Sequence, residues 1–193
     1  EDNFNIFMNP YTKKCYDDKK FAFLSDYVRL VVIEANGGIY FDTDVEVVKS
    51  FDDLLDCKAF FGFETNEYVN TGVGFGAEAH NPAIIQMLKE YEPLLDGRQG
   101  IIGCPHLNTK ALIKCGLKKN GQKQDLKDAS VFPAEYFNPY DAPTGKLNKS
   151  ELTYSIHWYA ASWMDKKQRL RSKISKPIHR LLGKDFFRKK QKN

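Results

Sequence analysis

An α/β fold is predicted for this chain by three observations. Helix-period segments alternate with short strand-like apolar runs between about residues 19 and 158. A long helical run stops at the pair Gly37-Gly38, and the hydrophobic run that follows finishes in two acids one residue apart. In a sheet of this class ligands gather at the carboxyl ends of strands. The 193 residues suffice for one domain with a proper core. Apolar residues at 42% and aromatics at 13% are a globular composition, not a disordered one. No apolar run reaches the roughly 18 residues that a membrane-spanning helix needs.

Residues 1–18 are polar and aromatic and read as a loop. From Lys19 to Asn36 the spacing predicts a helix, with Phe21, Leu24, Val28, Val31, Val32 and Ala35 on one face and Gly37 as its stop. Ala22, Leu30 and Ile33 make the opposite side apolar too, so this helix is expected to be buried on more than one side. Asp26 and Arg29 are three apart within it and therefore neighbours. They are either a structural ion pair or a ligand-binding pair, and a buried ion pair is a weak source of stability by itself.

Gly38 to Phe41 then reads as a buried strand that ends in Asp42-Thr43-Asp44. Two carboxylates emerging at one point repel each other unless a cation sits between them. A divalent metal carrying a phosphate suits that position, because hard cations such as magnesium or manganese take oxygen ligands and keep open positions for substrate.

Further along, strands are expected at Val45–Val48, Ala59–Phe63, Val69–Ala77 and Thr153–Trp158, with an edge-type strand at Val131–Pro133. The glycines of Val69–Ala77 mark close approach of a ligand or of backbone. They do not form a nucleotide-binding glycine loop, because the Gly spacing is wrong. A helix capped by Asn81 runs from Pro82 to Tyr91. A loop holding Gly103-Cys104-Pro105-His106 precedes a second helix from Leu107 to Cys115. His157, at the end of the last strand, adds an imidazole to the two acids, and oxygen ligands plus one imidazole suit Mn2+ or Mg2+.

Cysteines at 15, 57, 104 and 115 form no Cys-x-x-Cys pair, so reduced thiols are expected and a zinc site is not. Residues 166–193 hold 12 Lys and Arg against the single acid Asp185, a net +11, and the remainder carries −7. Leu170, Ile174, Ile178, Leu181 and Leu182 recur there at helical spacing. The segment is either a solvated tail or a basic amphipathic anchor on anionic lipid, where each cation near the surface adds about 1 kcal/mol. Nucleic acid is not expected as a partner, since the acidic body offers no second basic surface.

The stretch Ser25-Asp26-Tyr27-Val28-Arg29-Leu30, then Gly37-Gly38-Ile39-Tyr40-Phe41-Asp42-Thr43-Asp44, then Asn70-Thr71-Gly72, then His157 with Ser162-Trp163, resembles the family-32 glycosyltransferases. These are the proteins of the sugar-binding region containing a DxD motif. They include capsular polysaccharide synthesis enzymes and fungal initiating mannosyltransferases, and are distantly related to the clostridial glucosylating toxins. The resemblance spans Phe21 to Trp163 and implies a GT-A fold, a UDP- or GDP-linked sugar donor, a divalent metal and retention of anomeric configuration. A glycan or lipid-linked acceptor is expected with it, and the reduced thiols with the basic segment place the expected enzyme in the cytoplasm, peripheral on the inner face of the plasma membrane.

Carried over by position, Asp42 and Asp44 would hold ribose and metal, with His157 as the third metal ligand. Ser25, Asp26, Arg29, Gly38 and Tyr40 would surround the donor. Asn70 would lie beside the donor sugar with Thr71 and Gly72, Gly103 to His106 would line the acceptor side, and Ser162 and Trp163 would contact the diphosphate. Family members begin with a strand and loop ahead of the segment that resembles Glu1-Asp2-Asn3-Phe4. Residues 1–165 are therefore expected to be a catalytic domain without its first strand, followed by the tail 166–193.

The resemblance names no carboxylate nucleophile. A haloacid-dehalogenase-type phosphatase also carries a strand ending in Asp-x-Asp, but Glu46 stands where that motif needs Thr or Val. A sugar- or nucleotide-binding remnant without turnover is the other reading. If the tail is an anchor, deleting residues 166–193 cuts sedimentation with anionic liposomes at low salt; unchanged binding removes the anchoring role.

Overall fold

The computed structural model describes residues 4–159, 175–177 and 180. Its helices are α1 (Pro10–Asp17), α2 (Phe21–Asn36), α3 (Pro82–Tyr91), α4 (Cys104–Lys114) and the short α5 (Ala134–Phe137). Its strands are β1 (Gly38–Tyr40), β2 (Val45–Val47), β3 (Ala59–Gly62), β4 (Phe75–Ala77), β5 (Gln124–Asp125), β6 (Ser130–Phe132), β7 (Tyr140–Asp141), β8 (Lys146–Leu147) and β9 (Ser155–His157). Five of them form one mixed sheet in the order β1-β4-β3-β6-β5. Only β3 and β6 run parallel, joined by the crossover through α3 and α4, and the other pairs are antiparallel. β2 with β9 and β7 with β8 form two small antiparallel ladders.

The sheet is covered on both faces. Along β3, Ala59 and Phe61 enter a core with Leu30 of α2, Ile84 and Met87 of α3 and Leu112 of α4. Phe60 points the other way, into an aromatic cluster of Phe51, Phe132, Phe137 and Tyr154. That alternation is the period of two expected of a strand buried on both sides. Burying one such side chain fully contributes about 1.5–3 kcal/mol.

Several expectations change. Residues 1–18 are not all loop: Asn9 accepts from the Thr12 amide at 2.9 Å and Pro10 opens α1, the same cap-plus-proline device as Asn81-Pro82. The buried stripe of α2 is Leu24, Tyr27, Leu30 and Ile33 with Asp26 and Arg29, while Phe21 and Val32 are exposed. The ion pair turns inward and rotates the predicted face out. β1 is an edge strand, largely exposed, and it ends two residues before Asp42. The run Val69–Ala77 is broken by a 3-10 turn at Thr71–Val73. β6 lies inside the sheet, not at its edge. Cys104-Pro105-His106 form the first turn of α4 instead of a loop.

The four cysteines are free thiols. No helix among the described residues is long and apolar enough to cross a membrane. Most of the basic segment 166–193 lies outside the described residues; within it, Lys176 Nζ donates to the Tyr140 hydroxyl at 2.9 Å.

α3 and α4 are clamped by one buried acid. Glu90 takes Lys110 at 2.8 Å and Lys114 at 2.5 Å. Burial raises its pKa, but the hydrogen bonds from the two lysines outweigh that and hold it below the ordinary carboxylate value. A depressed carboxylate stabilises the fold above its unfolded-state pKa of about 4.3, and that contribution disappears as pH falls further. The melting temperature should therefore drop below about pH 4.3, and Glu90→Gln should flatten that part of the profile in a thermal-melt series.

Candidate active site

Gly37 ends α2 at φ 67°, and a Cβ there would stand 2.9 Å from the Ala79 amide nitrogen. Only glycine allows this approach, so the chain reverses directly from helix into β1. After β1 the Val45 amide donates to the Asp42 carbonyl at 3.0 Å, closing a tight turn that contains both acids. The chain then enters β2, whose register sets Val45 opposite His157 of β9. The Trp158 amide adds a 3.0 Å hydrogen bond to the Asp44 carbonyl. One ladder thus brings the acids to a histidine 113 residues away from Asp44.

The ligand atoms of Asp42, Asp44 and His157 all lie within 4.8 Å of one another. His157 Nε2 is 3.1 Å from Asp44 Oδ1, the residue is only 7% exposed, and its ring lies 4.1 Å from that of Tyr159. Its Nδ1 has no hydrogen-bond partner among the described residues. Ligands on opposite sides of a magnesium-sized ion stand about 4 Å apart, so this set closes on one ion with small side-chain movements. Two carboxylates and one imidazole fit Mg2+ or Mn2+.

Asp42 is fixed from behind. Arg29 Nη1 donates to its Oδ1 at 3.0 Å and the Tyr40 hydroxyl donates to the same oxygen at 2.9 Å. Arg29 also pairs with Asp26, and its guanidinium lies 5.0 Å from the centre of the Tyr40 ring. Burial pushes the Tyr40 pKa up to about 12, against the pull of Arg29 and with the help of Asp42. The phenol therefore remains a hydrogen donor throughout the neutral range. With Oδ1 occupied twice, Oδ2 of Asp42 faces Gly72, where a Cβ would come within 2.5 Å of it.

Asn70 is locked as well. Its Oδ1 accepts from the Gly72 amide at 2.7 Å and from the Cys104 thiol at 3.3 Å, and its Nδ2 donates to Glu64 at 3.1 Å. Burial pushes the Cys104 pKa up to about 11, which keeps it a neutral donor. The glycines of this run answer the question of what approaches them: Asp42 at Gly72, the Phe41 ring at Gly74 and the Phe60 ring at Gly76.

The remaining expected residues divide. Ser25 donates to the Ala22 carbonyl at 2.8 Å. Thr71 is fully buried and its hydroxyl accepts from Asn108 at 3.0 Å. Gly38 lines a different hollow, with Ile39, Leu55 and Ala79. His106 is exposed on α4, its ring tilted against that of Tyr68 with the centroids 4.8 Å apart. Ser162 and Trp163 lie outside the described residues. Sequence reasoning missed Glu64 and Tyr159, which join the site through Asn70 and His157. Their signal was present, since Glu64 is a lone carboxylate just past the strand Ala59–Phe63.

Gly72→Ala leaves no room for Asp42 in its present position, and the carboxylate, being the end of a side chain, moves before the backbone does. Mn2+ affinity, measured by electron paramagnetic resonance, should fall about tenfold or more with little change in melting temperature.

Residues 3–61 match the protein family described as "Glycosyltransferase sugar-binding region containing DXD motif", a range that includes Asp26, Arg29, Asp42 and Asp44. The chain is also 44% identical over 48 residues to Glucan organizing enzyme 1 of Cryptococcus neoformans var. grubii serotype A. That stretch is 25% of this chain and 13% of the fungal protein. The paired acids, the turn that presents Asp42 and Asp44, and much of the surrounding helix fall within the stretch that is similar to this DXD sugar-binding region, and His157 closes the group from outside it.

Proposed function

We propose that this domain is the catalytic part of a retaining, metal-dependent glycosyltransferase of the GT-A type. It would move a sugar from a UDP- or GDP-linked donor to a glycan or lipid-linked acceptor, in the synthesis of capsular or other surface polysaccharide. The observation that carries the reading is the convergence of Asp42, Asp44 and His157 within 4.8 Å, at the exit of a strand in a mixed sheet.

A bound Mn2+ or Mg2+ would supply a Lewis acid for the diphosphate leaving group. Asp42, Asp44 and His157 would hold it. Arg29 has only 2% of its side chain exposed, so it reaches the donor through Asp42 and is a positioning residue. Asp26 keeps that guanidinium oriented. Tyr40, a donor to Asp42 Oδ1, helps leave Oδ2 for the ligand side. The Asn70 amide, fixed by three hydrogen bonds, would lie beside the donor sugar. The tail 166–193 would hold the enzyme on the anionic inner face of the plasma membrane through its net +11 charge.

Release of nucleoside diphosphate from UDP- and GDP-sugars in the presence of Mn2+ tests this reading. Asp44→Asn should abolish turnover while leaving the melting temperature unchanged; full activity in that variant removes the metal role of Asp44. Saturable donor binding without release of nucleoside diphosphate would make the domain a binding module instead.

A further inference from the structure

A third carboxylate completes the wall of the site. Glu64 follows β3 directly after Phe63, whose bridge to Val69 starts the return toward Asn70. Its Oε1 accepts two hydrogen bonds, from the Tyr159 hydroxyl at 2.8 Å and from Asn70 Nδ2 at 3.1 Å. Both of its hydrogen bonds among the described residues fall on that oxygen, and Oε2 takes neither.

The support for Glu64 is itself built. Asn138 Nδ2 donates both to the Tyr159 oxygen at 2.9 Å and to the Glu64 carbonyl at 3.1 Å. Tyr159 is held at φ 49°, a left-handed backbone that a residue with a bulky side chain keeps only where its surroundings impose it. No cation pairs with Glu64 within 4.0 Å among the described residues, in contrast to Asp26, which is committed to Arg29.

Glu64 is one side chain removed from the metal-type cluster along two routes. Through Asn70 it meets Gly72, where a Cβ would touch Asn70 Oδ1 at 3.1 Å and Asp42 Oδ2 at 2.5 Å. Through Tyr159 it meets the His157 ring. The cluster holds one end of this chain of contacts and Glu64 the other, with Asn70 between.

We propose that Glu64 is the carboxylate nucleophile of the transferase, an inference that rests on the transferase reading above. Retention through two displacements needs a carboxylate at the face of the sugar opposite the leaving group. Glu64 Oε2 bonds to the anomeric carbon as the carbon–oxygen bond to the diphosphate breaks, and the diphosphate leaves with that electron pair. In the second step the acceptor hydroxyl oxygen bonds to the anomeric carbon from the vacated face. The ester bond to Oε2 breaks, its electron pair returns to Glu64, and the hydroxyl proton passes to an oxygen of the departed diphosphate. The two donors on Oε1 orient the carboxylate and leave Oε2 to react.

Glutamine separates this role from a supporting one, because its carbonyl oxygen can still accept from Tyr159 and Asn70 but cannot form the ester. UDP-glucose, UDP-galactose, UDP-N-acetylglucosamine and GDP-mannose are screened with wild type, and the donor turned over is carried into the variants. Glu64→Gln should lose on the order of 1,000-fold in kcat, with Mn2+ affinity and melting temperature close to wild type. Sodium azide added to Glu64→Ala should restore donor consumption and yield a glycosyl azide of opposite anomeric configuration to the wild-type product.

A Glu64→Gln enzyme within about threefold of wild-type kcat overturns the proposal. If Glu64→Gln is destabilised, the azide reaction decides, and absence of the inverted azide product overturns the proposal. No turnover of any of the four donors by wild type overturns the transferase reading, and this role with it.

Discussion

The buried guanidinium of Arg29 is the interaction on which the rest of the site depends. An uncompensated ion in a protein interior costs several kcal/mol, so this cation holds its place only with its acids. Asp26, one helical turn away, neutralises it within α2. Asp42, reached across the Gly37 reversal, is its second partner at 3.0 Å. The demand for that second partner draws the turn after β1 against α2 and fixes one carboxylate oxygen of Asp42. It also explains the rotation of α2, whose inward face contains two charges while Val32 points outward. Stability alone would favour an apolar pair at these positions. The arrangement makes sense as a way to aim a carboxylate.

The negative charge of the site is distributed by its partners. Asp42 has one oxygen neutralised from behind by Arg29 and Tyr40 and the other turned toward Gly72. Asp44 faces His157. Glu64 has one oxygen saturated by neutral donors. A cation is therefore favoured where Asp42, Asp44 and His157 meet, and is less favoured near Glu64, which has no imidazole partner among the described residues. Around Asn70 the donors are uncharged, and burial keeps both Cys104 and Tyr159 protonated. Protonated donors of that kind hold a geometry without adding charge.

What was legible in the sequence follows the range of the interactions. α3 is capped and bounded as Asn81 and Pro82 announce, because its signals are local. Asp42 and Asp44 stood out because two acids beside an apolar run are self-evidently costly. The error about β1 has the opposite cause: Gly38-Ile39-Tyr40 has the composition of an interior strand, yet neighbours decide burial, and among the described strands it pairs with β4 alone. The 3-10 turn at Thr71–Val73 hides within an apolar strand-like run, since its driving contact is the Asn70 cap on Gly72. His157 meeting Asp44 is a matter of β2–β9 register, set by pairing across more than a hundred residues, and no local pattern encodes it. Its place at a strand end and the family resemblance were the pointers to it.

The same ladder explains why the site forms late in the chain's logic but stays well defined. Shifting β9 by one residue against β2 would turn His157 to the other side and set Trp158 or Ile156 opposite Val45. Several contacts oppose such a slip. Ile156 is 3% exposed and Ser155 is fully buried, so both would lose their packing. Trp158 donates to Glu46 through its indole at 2.9 Å and packs its ring at a tilt against Tyr140, ties that belong to the observed register. Tyr159 then reaches Glu64 and Asn138 from its left-handed backbone. One strand of three residues thus delivers a metal-type ligand on one side and the support of a third carboxylate on the other. Such a short strand can do this because side chains, more than ladder hydrogen bonds, fix its register.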